Sequence, residues 1–183
     1  SVASRGLGDV YKRQELGIQG ANSTNDTIAR GALAEEMDQL SQQLMALGNS
    51  VDANGDYLFA GYKSDKPPFI KTADGVFYQG DTGRKEVEIA QGVSTPTSSN
   101  GLELFMNVSR KGSTSSSIFD ILKSAVNSLK QGPLSADVLS GLSNSIDHFS
   151  TYQAICGSRL QKVETAETTR QAQLLNTKAT LST

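Results

Sequence analysis

Between Leu33 and Val51 the apolar side chains Leu33, Met37, Leu40, Leu44, Leu47 and Val51 recur at intervals of four, three, four, three and four residues. That spacing draws one stripe along a helix, with Glu35, Glu36, Asp38, Gln42 and Gln43 on the remaining circumference, and a strand cannot present it. The helix is expected to start near Thr27, because "ANSTND" just before it supplies side chains that accept from the free amides of a first turn. "DANGD", Asp52 to Asp56, is expected to end it through the Asn54-Gly55 pair, which tolerates positive φ.

A second seam begins near Ser135. Its heptad slots are Leu139, Leu142, Ile146, Phe149, Gln153, Cys156, Leu160, Val163, Glu167, Arg170, Leu174, Thr177 and Leu181, and no Pro follows Pro133. One helix reaching the C-terminus would be roughly 65 to 70 Å long. A compact domain of 183 residues cannot hold it. A shorter amphipathic helix precedes it, carrying Ile118, Phe119, Leu122, Val126 and Leu129 and stopped by Gly132-Pro133. The N-terminal helix and the long helix are therefore expected to pack antiparallel as an elongated bundle or coiled-coil rod. Leu33, Met37, Leu40, Leu44, Leu47, Leu142, Ile146, Phe149, Leu160 and Val163 would pack its seam. An Asp at Leu40 or Leu160 is expected to destabilise the rod by several kcal/mol.

Residues 57–112 differ in character. "YLFAGY", "GVFYQG", "KEVEIAQGV" and "LELFMNV" are short β-prone runs, punctuated by Asp74-Gly75 and Asn100-Gly101. Val87 and Ile89 alternate with Glu86, Glu88 and Ala90, as in a strand with one wet face. The fold class is thus mainly α with a small antiparallel β-module inserted. Residues 15–56 would form the N-terminal part of the rod, 57–112 the module, and 113–183 the C-terminal part, with "STSSS" (113–117) as linker or cap. Deleting residues 70 to 110 is expected to leave the helices largely intact. Tyr57, Phe59, Gly61, Pro67 and Pro68 would form the joint between rod and module, the prolines stiffening it. Residues 1–14, "SVASRGLGDVYKRQ", show no period, and "DVYKRQ" is what a transposase mosaic-end sequencing adapter encodes in frame. They are expected to be a non-native read-through segment.

Little in the chain suggests chemistry. With 17 basic and 19 acidic side chains the net charge is −2, which supplies no field for gathering nucleic acid or an anionic membrane. No apolar run approaches the length of a membrane span. The one His, His148, has no second His or Cys at ligand spacing, and Cys156 occupies a heptad slot as a small apolar residue would. "DANGDY" offers Asp52, Asn54 and Asp56 as calcium ligands, but Tyr57 stands where the loop needs Gly and Lys63 where it needs Glu. "GDTGRK" lacks phosphate-loop spacing. No catalytic, metal or cofactor residue is expected.

"LMALGNSVDANGDYLFAGYKSDKPPF" closing the first helix, "YQGD" at 78–81, "SIFDILKSAVNSLKQG" at 117–132 and "GSRLQKVETAETTRQAQLLNTKATLS" at 157–182 occur in an order that resembles the flagellar hook-associated protein 3 family. These are hook-filament junction proteins of the flagellin-like superfamily, and "QELGIQGANST" (14–24) resembles the family's segment before its first long helix. The resemblance implies a bacterial structural subunit, not an enzyme, exported unfolded by the type III route without a cleaved signal. It would form a homo-oligomeric ring between hook-associated protein 1 and flagellin, outside the cell, with an export chaperone before assembly. It also implies a fragment lacking both terminal regions of the family. Flagellin itself, or an unrelated coiled-coil adaptor, are the alternatives; "DYLFAGYKSDKPPF" departs from the flagellin pattern after the first helix.

Overall fold

The computed structural model describes residues 26–90, 92–96, 100–111 and 114–181. Residues 1–14, expected to be foreign, lie outside the described residues. The first helix, α1, spans Thr27–Gly48, and Asp26 caps it by accepting from the Ile28 amide. It ends earlier than "DANGD". Asn49 is the C-cap, and its side chain also donates Nδ2–H to the Phe69 carbonyl (2.9 Å) and accepts from the Phe69 amide (2.9 Å). A cap that closes a twenty-residue loop in this way stops the helix before Asn54-Gly55 is reached. Val51 therefore leaves the seam; it is 49% exposed and forms a bridge with Tyr57.

Among the described residues the excursion that follows contains three separate antiparallel hairpins instead of one sheet. β1 (Phe69–Thr72) pairs with β2 (Gly75–Tyr78), β3 (Glu86–Ala90) with β4 (Val93–Pro96), and β5 (Ser109–Lys111) with β6 (Thr114–Ser116). "LELFM", expected as a strand, is a π-helix, Leu102–Met106, which we label π1. Asn100 begins it, accepting from the Leu102 amide at its side chain and from the Leu104 amide at its carbonyl, and Asn107 N–H closes the wide turn on the Leu102 carbonyl. The local bonds of a buried Asn and two inward apolar side chains, Leu104 and Phe105, override the β propensity of the run.

Ser117 caps α2, Ile118–Gln131, by accepting from the Asp120 amide. α3 runs Ala136–Leu181, 46 residues or about 69 Å. The mainly helical fold with a small β-module is borne out. Within it the pairing of helices differs from the simple antiparallel rod: α1 lies along α2, and α2 packs on α3. The short helix is the preferred neighbour because it buries Ile118, Phe119, Ile121, Leu122, Ala125 and Leu129 within fourteen residues.

A single core runs through all of this. Met37, Leu40 and Leu44 of α1, the α2 residues, and Leu142 and Phe149 of α3 share it with Phe59, Phe69, Leu104, Phe105 and Val108 from the excursion. Phe105 is its centre, with ring centroids of Phe59, Phe69, Phe149 and Phe119 at 5.3, 5.0, 6.1 and 6.3 Å. Gly48 is needed at the end of α1 because a Cβ there would lie 2.6 Å from the Phe69 ring. Removing residues 70–110 would take Leu104, Phe105 and Val108 out of the helical core, so the β-module is no dispensable insertion.

Candidate functional site

Two surfaces stand out once the core is subtracted: the joint where α1 passes into the hairpins, and the outer length of α3. At the joint Phe59 and Pro68 are buried, Tyr57 is half-buried and Pro67 is exposed. Gly61 sits at φ +69° with Asp81 packed where a Cβ would be, so both conformation and space demand glycine. The Asp81 carboxylate accepts from the amides of Tyr62 (2.9 Å) and Gly83 (2.8 Å), and the Tyr62 bond above all holds its pKa below the usual carboxylate range. The Tyr78 hydroxyl donates among two carbonyls, those of Phe59 (2.8 Å) and Asp81 (2.7 Å); burial, reinforced by the Asp81 charge, pushes it up to about 12. Lys85 reaches Asp56 (2.9 Å) and Ser64 (3.1 Å), and its hydrogen bond lowers the Asp56 pKa. The calcium-like "DANGDY" is thus a turn: the Asp52 carboxylate accepts from the amides of Asn54 and Asp56.

His148 has a structural partner that its sequence position could not reveal. Its Nε2 lies 2.9 Å from the Glu103 carbonyl and 3.1 Å from the Leu104 carbonyl. Both oxygens only accept, so Nε2 carries the proton and caps the C-terminal end of π1 from another helix. One turn on, the Tyr152 hydroxyl donates to Glu103 Oε2 (2.8 Å), which also receives Arg84 (2.7 Å). Burial first, then the Glu103 bond, raise the Tyr152 pKa above the ordinary phenol range. Among the described residues no three His, Cys, Asp or Glu side chains gather at metal-ligating distance. No described helix is long and apolar enough to cross a membrane.

The expected seam residues separate into two groups. Met37, Leu40, Leu44, Leu142 and Phe149 are buried; Leu33 and Leu47 flank the core, and Ile146 is half-buried. Val163 and Cys156 are half-exposed and Leu160 is 48% exposed. From Ser150 to Thr180 no residue is buried, while Ile155, Leu160, Leu174 and Leu175 all stand open. Along the same stretch the hydroxyls of Thr165, Thr168, Thr169, Thr177 and Thr180 each donate to the carbonyl four residues back, at 2.6 to 2.9 Å. Those hydroxyls are satisfied without water, so a surface carrying them can be dried at little cost. The stretch is about 45 Å long, and none of its residues is enclosed by the rest of the described chain. Sequence reading missed Asn49, Phe105 and the Glu103 cluster, whose partners lie 14 to 49 residues away.

Residues 7–64 match the model of the bacterial flagellin N-terminal helical region, a match that starts inside the first fourteen residues. The chain is 26% identical over 202 residues to flagellar hook-associated protein 3 of Salmonella typhimurium, covering all of this chain and 63% of that protein. It is also 26% identical over 186 residues to flagellar hook-associated protein 3 of Escherichia coli, covering 91% and 58%. The chain therefore spans about three fifths of the length of these relatives. Among solved structures it is similar to flagellar hook-associated protein 3 from Legionella pneumophila, with a TM-score of 0.82 at 17% identity over 99% of this chain and 89% of that one. FlgL of Bacillus cereus gives a TM-score of 0.74 at 21% identity, over 94% and 83%. The resemblance read from the sequence is borne out by these relatives.

Proposed function

We propose that the chain is a non-enzymatic structural subunit of the bacterial flagellum, a hook-filament junction protein. The observation that carries this reading is the similarity of the whole chain to hook-associated protein 3, in sequence and in fold. A match to the flagellin N-terminal region alone fits a filament subunit equally well; whole-chain relatives favour the junction.

In this role the subunit is exported unfolded, bound by a chaperone beforehand, and joins a ring outside the cell between hook-associated protein 1 and flagellin. The outer stretch of α3 supplies an assembly face through Leu160, Val163 and Leu174, while the joint at Tyr57, Phe59, Gly61, Pro67 and Pro68 holds the hairpins to the rod. Polar slots at Gln153, Glu167, Arg170 and Thr177 interrupt the seam and keep its apolar residues from joining into one patch before assembly. The experiment is complementation of a strain lacking its junction protein, using residues 15–183 joined to native-type termini. Attached filaments and restored motility support the reading. Rescue of a strain lacking flagellin, with none of the junction mutant, would replace it with the filament reading.

A further inference from the structure

The hairpin β3–β4 is attached to the rest of the molecule in a different way from its neighbours. Hairpin β1–β2 begins with Phe69, which is wholly inside the aromatic core, and π1 contributes Leu104 and Phe105. Along β3–β4, among the described side chains, only Thr95 is buried; Glu86, Glu88, Ala90, Val93 and Ser94 are exposed. Among the described side chains, Ile89 and Pro96 are half-buried and no apolar side chain of the hairpin is fully enclosed, although both of its strands lie against α3.

Polar contacts gather instead at its root, residues 84 and 85. Tyr62 donates its hydroxyl to the Arg84 carbonyl (2.9 Å), Lys85 reaches Asp56 and Ser64, and the Arg84 guanidinium reaches Glu103 (2.7 Å). Glu103 Oε2 takes Tyr152 of α3 at the same time (2.8 Å), so one carboxylate oxygen ties the hairpin root to the long helix. His148, one turn before Tyr152, holds the carbonyl of that same Glu103, which fixes the backbone from which the carboxylate reaches out. Arg84 and Glu103 side chains are 43% and 44% exposed, so water competes for this pair in a way it cannot compete for Phe105.

We propose that the Arg84–Glu103–Tyr152 cluster is a releasable latch that fixes the angle of hairpin β3–β4 against α3, and that opening it frees the hairpin while the aromatic core stays folded. The latch consists of contacts within one chain and does not depend on the assembly reading. It gives the molecule a second arrangement of its outer surface without local unfolding of the helices.

The test places spin labels at Val93→Cys and Ser150→Cys in a Cys156→Ser background and reads their distance distribution in the full chain. All three positions lie outside the core, and Val93 and Ser150 are exposed. A narrow distribution is expected with the latch intact. Glu103→Ala should broaden it, and Tyr152→Phe, which removes one hydroxyl, should broaden it less. Hydrogen exchange of the β3–β4 amides should accelerate about tenfold, the size of one charge-assisted hydrogen bond, with exchange in α2 unchanged. A distribution that stays narrow in Glu103→Ala overturns the latch. So does acceleration spread equally through α2, since that would mark general destabilisation. Should Glu103→Ala not fold, Tyr152→Phe alone decides by the same readouts.

Discussion

The two parts of α3 share one heptad register and meet opposite fates. From Ala136 to Tyr152 the slots are filled inward: Leu142 and Phe149 are buried and Leu139 packs at the edge of the core, and beside the slots Tyr152 also packs at that edge and Ser145 is enclosed, donating to the Gly141 carbonyl. From Gln153 onward the slots continue with Cys156, Leu160, Val163 and Leu174, yet none is buried. The difference lies in what stands opposite. α2 and π1 stand against the first part, through Ile121 beside Gly141 and Phe105 beside Phe149, and in the second the apolar residues alternate with Glu167, Arg170 and Thr177. A heptad pattern specifies which face of a helix is to be covered; it leaves open whether the cover is the same chain.

The largest effect that would sharpen this contrast comes from Phe149→Ala. The ring is 1% exposed and touches Phe105, so truncation leaves a cavity in the shared core and should cost about 3–5 kcal/mol in chemical denaturation. Leu40→Asp, on α1, belongs in the same class, because it places a carboxylate where a leucine is 4% exposed. A loss below about 1 kcal/mol for Phe149→Ala would show that the first part of α3 is no more committed to the core than the second.

A smaller effect is expected at high pH, from two phenols at the edges of this core. Tyr78 and Tyr152 both have raised pKa values, chiefly through burial, the former at about 12. Their unfolded value is near 10, so the stability they contribute is complete below pH 10 and is lost as pH rises through the folded values. Thermal melts should show Tm falling steadily from pH 10 upward. Tyr152→Phe should flatten the slope, since the phenol that must ionise on unfolding is gone. An unchanged slope in Tyr152→Phe and Tyr78→Phe alike would assign the alkaline transition to other groups.

Much of the helical plan was legible because it is local. Thr27 follows a good cap, Gly132-Pro133 stops α2, and the spacing of Met37, Leu40 and Leu44 repeats often enough to exclude other periods. The rest depends on partners far away in sequence. Asn49 ends α1 because Phe69 lies against it, and "LELFM" becomes a π-helix because Asn100 opens it and His148, 45 residues from Glu103, caps it. The single His and the β-prone run were both visible; nothing local could join them. Leu160 misled for a related reason, since its register is indistinguishable from that of Phe149.

Leu160→Asp separates the two parts of α3 at the smallest cost. The sequence alone assigned it the same penalty as Leu40→Asp, several kcal/mol. At 48% exposure the carboxylate keeps contact with water, and no buried neighbour loses its packing, so the isolated chain should change by no more than about 0.5 kcal/mol. The consequence should appear only when the surface is used. In the complementation strain the variant should fold and accumulate normally yet attach fewer filaments than the parent, because assembly would bury the new charge between helices. A large loss of stability in the isolated chain would mean that the outer part of α3 is already covered by its own chain, and the contrast with Phe149 would disappear. Full stability together with full filament attachment would instead move the assembly face off Leu160 to another side of the helix.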